Sequence, residues 1–294
     1  DGTVVRTGSA GCSGAGFFQR YCIGPDLTGL FIGAEATLGV ITAVCLWLYP
    51  LPESRETLCL GFQDPLTASK YLSAVQSCEL TRNMWYGGGY ESGAINARVS
   101  VARPDLDVGS LPKFCVGIEL GGRQDEINYD RARLIALGSN YGGKNFELFN
   151  DIYFQKLRLE ETYWYSFAGY FTRSRCALLM CSLPSNKLPR FLNCLQSMRE
   201  KYEQFVWGGT LVICRRGLHG GVVTFYDEKN QWEEVMPAVS DAVEQFTNVG
   251  IVPYKSGKIW SKNSPHFENY QHLLGMIKKG VDPRGILSPG NLGI

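Results

Sequence analysis

The sequence lacks a long apolar run and lacks an excess of either charge. Its longest apolar stretch, residues 38–52, is too short for a bilayer span, which takes about 20 residues. Lysine and arginine together number 29 against 28 aspartates and glutamates, so the formal net charge is +1. These features argue against a membrane-spanning segment and against general binding to nucleic acids or membrane surfaces.

Metal-ligand spacing and targeting signals are missing too. The ten cysteines include no C-x-x-C pair, so zinc and iron–sulfur sites lack their usual spacing. Most cysteines lie in apolar patterns, as around Cys45 and Cys181, which predicts buried free thiols in a reducing cytosol. The first residues show no signal-peptide pattern. We therefore expect a cytoplasmic protein without a metal ion.

The composition is sufficient for two domains, because 45% of the 294 residues are hydrophobic. The first part is rich in glycine and β-branched residues, which predicts strands at Thr3–Thr7 and Gly39–Tyr49. Pro50 and Pro52 end the second strand, because proline cannot donate to a strand ladder. Beyond this point the pattern changes. The expected segments are 1–55, 56–249 and 250–294.

Strands and helices alternate in the middle segment. Asp64 before Pro65 predicts a helix start, and Ser185 is expected to cap a long helix that ends near Phe205. The order of elements predicts an α+β domain, an antiparallel sheet with helices on one face. No sequence repeat is visible, and a structural relation between the two halves stays open. The further predicted strands are 114–120, 176–183, 210–214 and 221–226, and the further helices are 125–137, 231–247 and 265–279.

A distinctive string runs from Gly24 to Thr42, where small residues lead into the predicted strand. Small residues let backbone N–H groups approach a ligand such as a phosphate or the edge of a flavin ring. By itself this is weak evidence, since glycine before a strand is usually only a turn. The full string, however, resembles the end of the FAD-binding domain of the vanillyl-alcohol oxidase family, which carries a segment like G-x-D-L-x-x-L-F-I-G-S-E-G-T-L-G-V-I-T.

The resemblance implies that this segment lies along a bound FAD. The positions concerned are Glu35, Ala36, Thr37, Leu38, Gly39, Val40 and Ile41. Ala36 stands where the family usually has glycine. If that site requires a positive φ, alanine is strained there by about 1 kcal/mol.

The C-terminal residues repeat the resemblance independently. Residues 282–291, Asp-Pro-Arg-Gly-Ile-Leu-Ser-Pro-Gly-Asn, resemble the family's D-P-x-G-I-x-x-P-G motif, which returns to cover the flavin. Asn291 stands where the family often has lysine or arginine. The resemblance thus implies the end of an FAD-binding domain at 1–55, a substrate (cap) domain at 56–249, and a tail at 250–294 that returns to the FAD domain.

Candidate catalytic residues follow from the phenol-oxidase and cresol-dehydrogenase branch of the family. Residues 250–255, Gly-Ile-Val-Pro-Tyr-Lys, resemble its G-x-Y-R segment, so Tyr254 and Lys255 are expected at a substrate oxygen. A tyrosine packed at a domain edge beside a solvated lysine is an equal alternative. Residues 215–221 resemble its R-x-x-H segment, and His219 is expected to act as acid, base or hydrogen-bond donor. A purely structural histidine fits as well.

Some family features are absent. The stretch Phe167–Leu183, where relatives carry a histidine that tethers FAD, contains none. Neither H-H-G nor H-A-G-D-G-N-L-H occurs, which disfavours alkyl-glycerone-phosphate and glycolate-type functions.

The resemblance implies an FAD-dependent oxidoreductase that removes hydride from an alcohol, a hydroxy acid or an alkylphenol. In the family, the pyrophosphate-binding loop lies upstream of the first residue here. We therefore expect an N-terminal FAD-domain half from a separate chain or a longer one, and an electron-acceptor protein is possible. The alternative is a non-catalytic or electron-transfer subunit that keeps the fold, which Ala36, Lys255, Asn291 and the missing histidine would suit.

Overall fold

The computed structural model describes residues 2–22, 24–78, 84–151, 175–254 and 264–294. The chain divides into two compact units. The end unit comprises Asp1–Pro50 and Lys255–Ile294, and the sheet unit comprises Leu51–Tyr254. No helix in the described ranges is long and apolar enough to cross a bilayer.

The sheet unit is built on one eight-stranded sheet in which every pair of neighbouring strands is antiparallel. The strand order is β4-β1-β3-β2-β6-β7-β5-β8. The strands are β1 Ser54–Phe62, β2 Met84–Glu91, β3 Phe114–Gly122, β4 Lys144–Asn145, β5 Arg175–Leu183, β6 Val206–Cys214, β7 Gly217–Tyr226 and β8 Val252–Pro253.

The two halves of this sheet share a topology. The order β4-β1-β3-β2 in the first half mirrors the order β8-β5-β7-β6 in the second, and the pairing of β2 with β6 joins them. Each half is a βαββαβ unit, with α3 as an addition to the first. The question that the sequence left open is therefore answered. The helices are α1 Leu27–Phe31, α2 Pro65–Ser77, α3 Ser92–Ala102, α4 Gln124–Asn140, α5 Glu147–Phe149, α6 Leu188–Lys201, α7 Glu228–Asn248 and α8 Glu268–Val281.

Four helices, α2, α4, α6 and α7, pack against the sheet and supply most of its core. Phe62 of β1 meets Tyr71 of α2 with ring centroids 5.2 Å apart, and Phe191 of α6 stacks on Phe246 of α7 at 5.5 Å. The predicted α+β class with an antiparallel sheet is confirmed. Helices α3 and α5 add a smaller cluster around Tyr90 on the opposite face of the first half.

Local signals placed the start of α2 correctly but not the start of α6. The carboxylate of Asp64 accepts hydrogen bonds from the N–H groups of Leu66 and Thr67, as expected for an N-cap. Ser185 caps nothing. Its hydroxyl donates to the side chain of Gln76, and α6 begins at Leu188 after a 3-10 turn. The hydroxyl of Ser185 therefore bonds to Gln76, a residue distant in sequence, and does not cap the following helix.

The strands predicted at Thr3–Thr7 and Gly39–Tyr49 do not form, which corrects the sequence-based expectation. Neither segment joins a strand ladder in the described part of the chain. Their apolar side chains are exposed, as Leu48 shows at 91%. A strand needs a neighbour to satisfy its backbone groups, and periodicity alone does not supply one.

The cysteines are all free thiols. Cys59, Cys115 and Cys181 are buried as predicted, and burial raises the pKa of the Cys181 thiol to about 12. Cys45 is exposed, so its predicted burial was wrong. The cause is the missing ladder around residues 39–49, because only pairing and packing would have covered this side chain.

A buried carboxylate lies where the two halves of the sheet meet. Glu91, the last residue of β2, accepts hydrogen bonds from the N–H groups of Ala94 at 2.8 Å and Gly93 at 3.0 Å, at the start of α3. It also accepts from the N–H of Gly209 on β6 at 2.8 Å and from the guanidinium of Arg199 on α6. Because a buried carboxylate is stable only when fully hydrogen-bonded, Glu91 fixes four elements at one point.

Replacing Glu91 by alanine should lower the free energy of unfolding by about 3 kcal/mol, since it leaves buried N–H donors and a half-buried guanidinium without their acceptor. Guanidinium titration followed by circular dichroism measures this. Glu200→Ala on α6 is the control, because Glu200 is exposed and should change stability little. Equal midpoints for the two variants would contradict the role of Glu91.

Candidate functional site

The first part of the candidate site is the segment Glu35–Ile41 of the end unit. It opens with two residues in the left-handed region, Glu35 at φ +48° and Ala36 at φ +62°. The condition considered for Ala36, a positive φ, is therefore met, and a side chain there costs about 1 kcal/mol relative to glycine. The backbone turns sharply at this point.

The middle of the segment faces inward. Thr37 is fully buried, and its hydroxyl donates to the carbonyl of Ala34 at 2.6 Å. Leu38 packs with Ala34, Leu274 and Leu292 in a small apolar cluster. Thr37 and Leu38 therefore hold the segment in place and offer little surface to a ligand.

The remaining residues face outward. Ala36 is exposed, Gly39 is half-buried, and Val40 and Ile41 are 76% and 57% exposed. In the described part of the chain, the backbone N–H groups of Ala36, Val40 and Ile41 donate to no protein acceptor. An apolar surface with free N–H donors suits a flat heteroaromatic ligand that carries carbonyl oxygens.

The C-terminal tail is bound to this segment by a buried lysine. The Nζ atom of Lys278, on α8, donates to the carbonyl of Thr37 at 2.7 Å and to the carbonyl of Leu287 at 2.6 Å. It also pairs with the carboxylate of Asp282 at 2.5 Å. One ammonium group thus brings together the two end motifs, whose contacting residues lie 241 positions apart.

Asp282 completes this arrangement. Its carboxylate accepts from the ammonium of Lys278 and from the N–H groups of Leu287 at 2.8 Å and Ile286 at 3.1 Å. The hydrogen bond from Lys278, followed by that from Leu287, lowers the pKa of Asp282 to about 2. Its negative charge is therefore kept at any ordinary pH.

Asn291 contacts the same segment. Its side-chain amide lies 3.4 Å from the carbonyl of Glu35 as a donor, and the neighbouring Leu292 enters the apolar cluster. The residue that replaces the family's usual cation thus bonds to the protein backbone.

A second group of polar side chains lies in the sheet unit. His219 on β7 is directly opposite Ser182 on β5, and its Nδ1 lies 2.6 Å from the hydroxyl oxygen of Ser182. Tyr254 follows β8, and its N–H donates to the carbonyl of Met180 at 3.1 Å. This bond places the ring of Tyr254 with its centroid 5.3 Å from that of His219.

This polar cluster is accessible. His219 and Ser182 are half-buried, and Tyr254 is 52% exposed. A glycine two residues after His219 lets the strands approach closely, because a Cβ at Gly221 would lie 1.7 Å from the carbonyl oxygen of Leu179. The cluster therefore offers a phenol and an imidazole to a small molecule.

The structure describes some of the candidate residues identified from the sequence but not all of them. The structure brings His219 close to Tyr254, whereas Lys255 and residues 167–174 lie outside the described residues. Sequence reasoning missed Ser182, Lys278 and Asp282 as site residues. Two signals could have identified them. Ser182 is a polar residue within the apolar run of β5, and Lys278 and Asp282 have the i, i+4 spacing of a helical ion pair.

Among the described residues, no three His, Cys, Asp or Glu side chains converge in the manner of a metal site. The chemistry of both groups of residues is that of hydrogen-bond donors and apolar surface.

Comparison with known proteins shows which proteins the chain resembles in sequence and fold. No protein-family model matches the chain. It is 21% identical over 313 residues to the glycolate oxidase subunit GlcD of Bacillus subtilis, an alignment that covers 99% of the chain and 61% of that protein.

Two solved structures match the whole chain. The structure of p-cresol methylhydroxylase with bound substrate has a TM-score of 0.77 at 16% identity, and the chain covers 63% of it. The structure of 4-ethylphenol oxidase from Gulosibacter chungangensis has a TM-score of 0.82 at 15% identity, with 64% covered. The chain thus spans less than two thirds of the length of each of these three proteins.

The chain has the fold of the C-terminal part of the FAD-linked oxidases of the vanillyl-alcohol oxidase type, as its two end motifs predicted. The two structures named above are of enzymes named for phenolic compounds.

Replacing Lys278 by methionine should release the tail, because the carbonyls of Thr37 and Leu287 and the Asp282 carboxylate lose their shared donor. We expect limited proteolysis after residue 264 to become at least about tenfold faster. Lys279→Met is the matched control on the same helix, since Lys279 is exposed. Unchanged proteolysis in the Lys278 variant would show that the ammonium does not hold the tail.

The lowered pKa of Asp282 predicts an acid dependence. The folded-state pKa of about 2 is below the ordinary 3.8, so the stabilisation is present above about pH 4 and is lost as the pH falls toward 2. The difference in denaturation midpoint between the wild type and Asp282→Asn should therefore shrink between pH 5 and about 2. Glu268→Gln, at an exposed position of α8, the helix that precedes Asp282, should show no such convergence. A constant difference would contradict the assignment.

Proposed function

We propose that this chain is the C-terminal part of an FAD-dependent oxidoreductase that oxidises an alcohol, a hydroxy acid or an alkylphenol. The observation that carries the proposal is the meeting of the two end motifs in one unit, through Lys278 and Asn291, within a fold that matches phenol-oxidising enzymes over the full chain.

The end unit would hold the cofactor. Its outward residues Ala36, Val40 and Ile41 offer free N–H donors and apolar surface to the flavin ring. Glu35, Thr37, Leu38, Gly39 and Asn291 keep that surface in position. FAD, when bound, supplies the acceptor for a hydride. The protein's own contribution is to position the ring and to exclude water from it.

The sheet unit would bind the substrate. Tyr254 and His219 present an O–H group and an imidazole from adjoining positions, and Lys255 follows directly in the chain. Hydrogen-bond donors of this kind stabilise negative charge on a substrate oxygen while hydride leaves the neighbouring carbon. Alkylphenols, with an ionisable oxygen on the ring, match this chemistry best. We rank hydroxy acids and simple alcohols after them.

The rest of the cofactor site would come from an N-terminal half, in a separate chain or in the same one. The exposed apolar side chains of the end unit support this, because an apolar surface of this extent is normally covered by protein. They include Val4, Val5, Val40, Ile41, Val44, Leu46, Trp47, Leu48 and Tyr49. A separate electron-acceptor protein and a cytoplasmic location are part of the same proposal.

The direct test is the visible spectrum of the protein purified with whatever co-purifies. Flavin bands that bleach when an alkylphenol, a hydroxy acid or an alcohol is added without oxygen would support the enzyme, and the substrate that bleaches fastest identifies the class. Bound flavin that no substrate reduces would favour the non-catalytic subunit, to which the left-handed Ala36 gives some support. A colourless protein would refute FAD binding.

Tyr254→Phe should slow flavin reduction by about 10- to 100-fold, because one donor to the substrate oxygen is lost. Stopped-flow absorbance measures the rate, and retained flavin absorbance reports an intact cofactor site. Tyr129→Phe is the control, since Tyr129 is an exposed residue of α4. Equal rates for the two variants would remove Tyr254 from the reaction.

A further inference from the structure

The hydroxyl of Ser182 has no role in any function assigned so far, yet it lies 2.6 Å from Nδ1 of His219. The register of β5 and β7 makes the two residues direct cross-strand partners on the same face of the sheet. Backbone pairing thus places the two side chains next to each other. On its other side, Ser182 is opposite Val252 of β8, whose side chain offers no hydrogen bond.

The direction of this hydrogen bond follows from counting protons. A serine hydroxyl carries one proton, and a neutral imidazole carries one on either nitrogen. In the described part of the chain, the Ser182 hydroxyl contacts no acceptor other than Nδ1. If Nδ1 carried the imidazole proton, the serine proton would have no protein acceptor. Donation from serine to Nδ1 satisfies both groups and leaves the imidazole proton on Nε2.

We propose that Ser182 is a positioning residue that holds His219 as the neutral Nε2–H tautomer, so that His219 donates a hydrogen bond to a substrate oxygen and does not act as a base. The Nε2 atom makes no hydrogen bond within the described residues, and its N–H is available to a ligand.

The proposal also defines the substrate chemistry, and in this respect it rests on the proposed function. An N–H of His219 and an O–H of Tyr254, with ring centroids 5.3 Å apart, form a pair of neutral donors. Such a pair selects a substrate with an anionic or strongly polarised oxygen, such as a phenolate or a carboxylate. Of the three roles that the sequence left open for His219, this selects the donor.

The tautomer can be measured directly, because the chain contains only three histidines. The protein, purified with its cofactor and partners, is labelled with ¹⁵N-histidine, and long-range ¹H–¹⁵N correlation spectra are recorded at about pH 8. At that pH an ordinary imidazole, with a pKa of about 6.5, is neutral. His219→Gln identifies the His219 signals by their loss, and His266 and His272 are internal references.

The expected result is one ring with a protonated Nε2 and an unprotonated, hydrogen-bonded Nδ1. Ser182→Ala should change the ¹⁵N shift of Nδ1 and mix the tautomers, while Ser182→Thr, which keeps the hydroxyl, should retain the wild-type pattern. A protonated Nδ1 of His219 in the wild type would overturn the proposal even if no Ser182 variant folds. An unchanged His219 pattern in a folded Ser182→Ala variant would do so as well.

Kinetics then distinguish this inference from the proposed function. If Ser182 orients a donor, Ser182→Ala should lower kcat/KM by about tenfold for substrates with an ionisable oxygen and Ser182→Thr should restore it. Equal kcat/KM for the wild type and a folded Ser182→Ala variant would overturn the role in substrate binding. If the tautomer is as expected but no substrate reduces the flavin, the oxidoreductase proposal fails and the assignment of the tautomer stands.

Discussion

Four N–H donors from three elements converge on the carboxylate of Glu91 at the seam between β2 and β6, and the rest of the sheet unit depends on this point. The seam joins two βαββαβ halves that share no visible sequence repeat. Their joint sheet carries β7 and β5, where His219 and Ser182 are paired. A carboxylate suits this seam because it accepts hydrogen bonds from all four donors. An apolar side chain in its place would leave these N–H groups without an acceptor.

In the end unit, too, a buried charged group with several hydrogen bonds joins separate segments, but this group is a cation. The ammonium of Lys278 contacts three acceptors at the meeting of the tail and the segment after α1, and it fixes the polar side of that contact. The apolar cluster beside it contains few residues. Since a small cluster contributes little burial, the hydrogen bonds of this one ammonium group are important for holding the two segments of the unit together.

In the proposed site, the residues that position the side chains are different from the residues that would contact the substrate. Glycine allows the close approach of the strands around His219, and the carbonyl of Met180 accepts a hydrogen bond from the N–H of Tyr254. In the proposal, the side chains that touch the substrate only donate hydrogen bonds: Tyr254 through its O–H, and His219 through the N–H of its Nε2–H tautomer. In the end unit, the side-chain amide of Asn291 donates to the carbonyl of Glu35.

Much of the fold and part of the site follow from the sequence. Local signals are strong for α2, where Asp64 and Pro65 act within one turn, and the two end motifs predicted the fold of known FAD-linked oxidases. Tertiary structure alone decided the rest. Residues 39–49 have a strand's pattern but no described partner, Ser185 gave its hydroxyl to Gln76, and Ser182 met His219 only through the register of β5 and β7. Propensity acts between neighbours in sequence, whereas pairing and burial depend on residues that are distant along the chain.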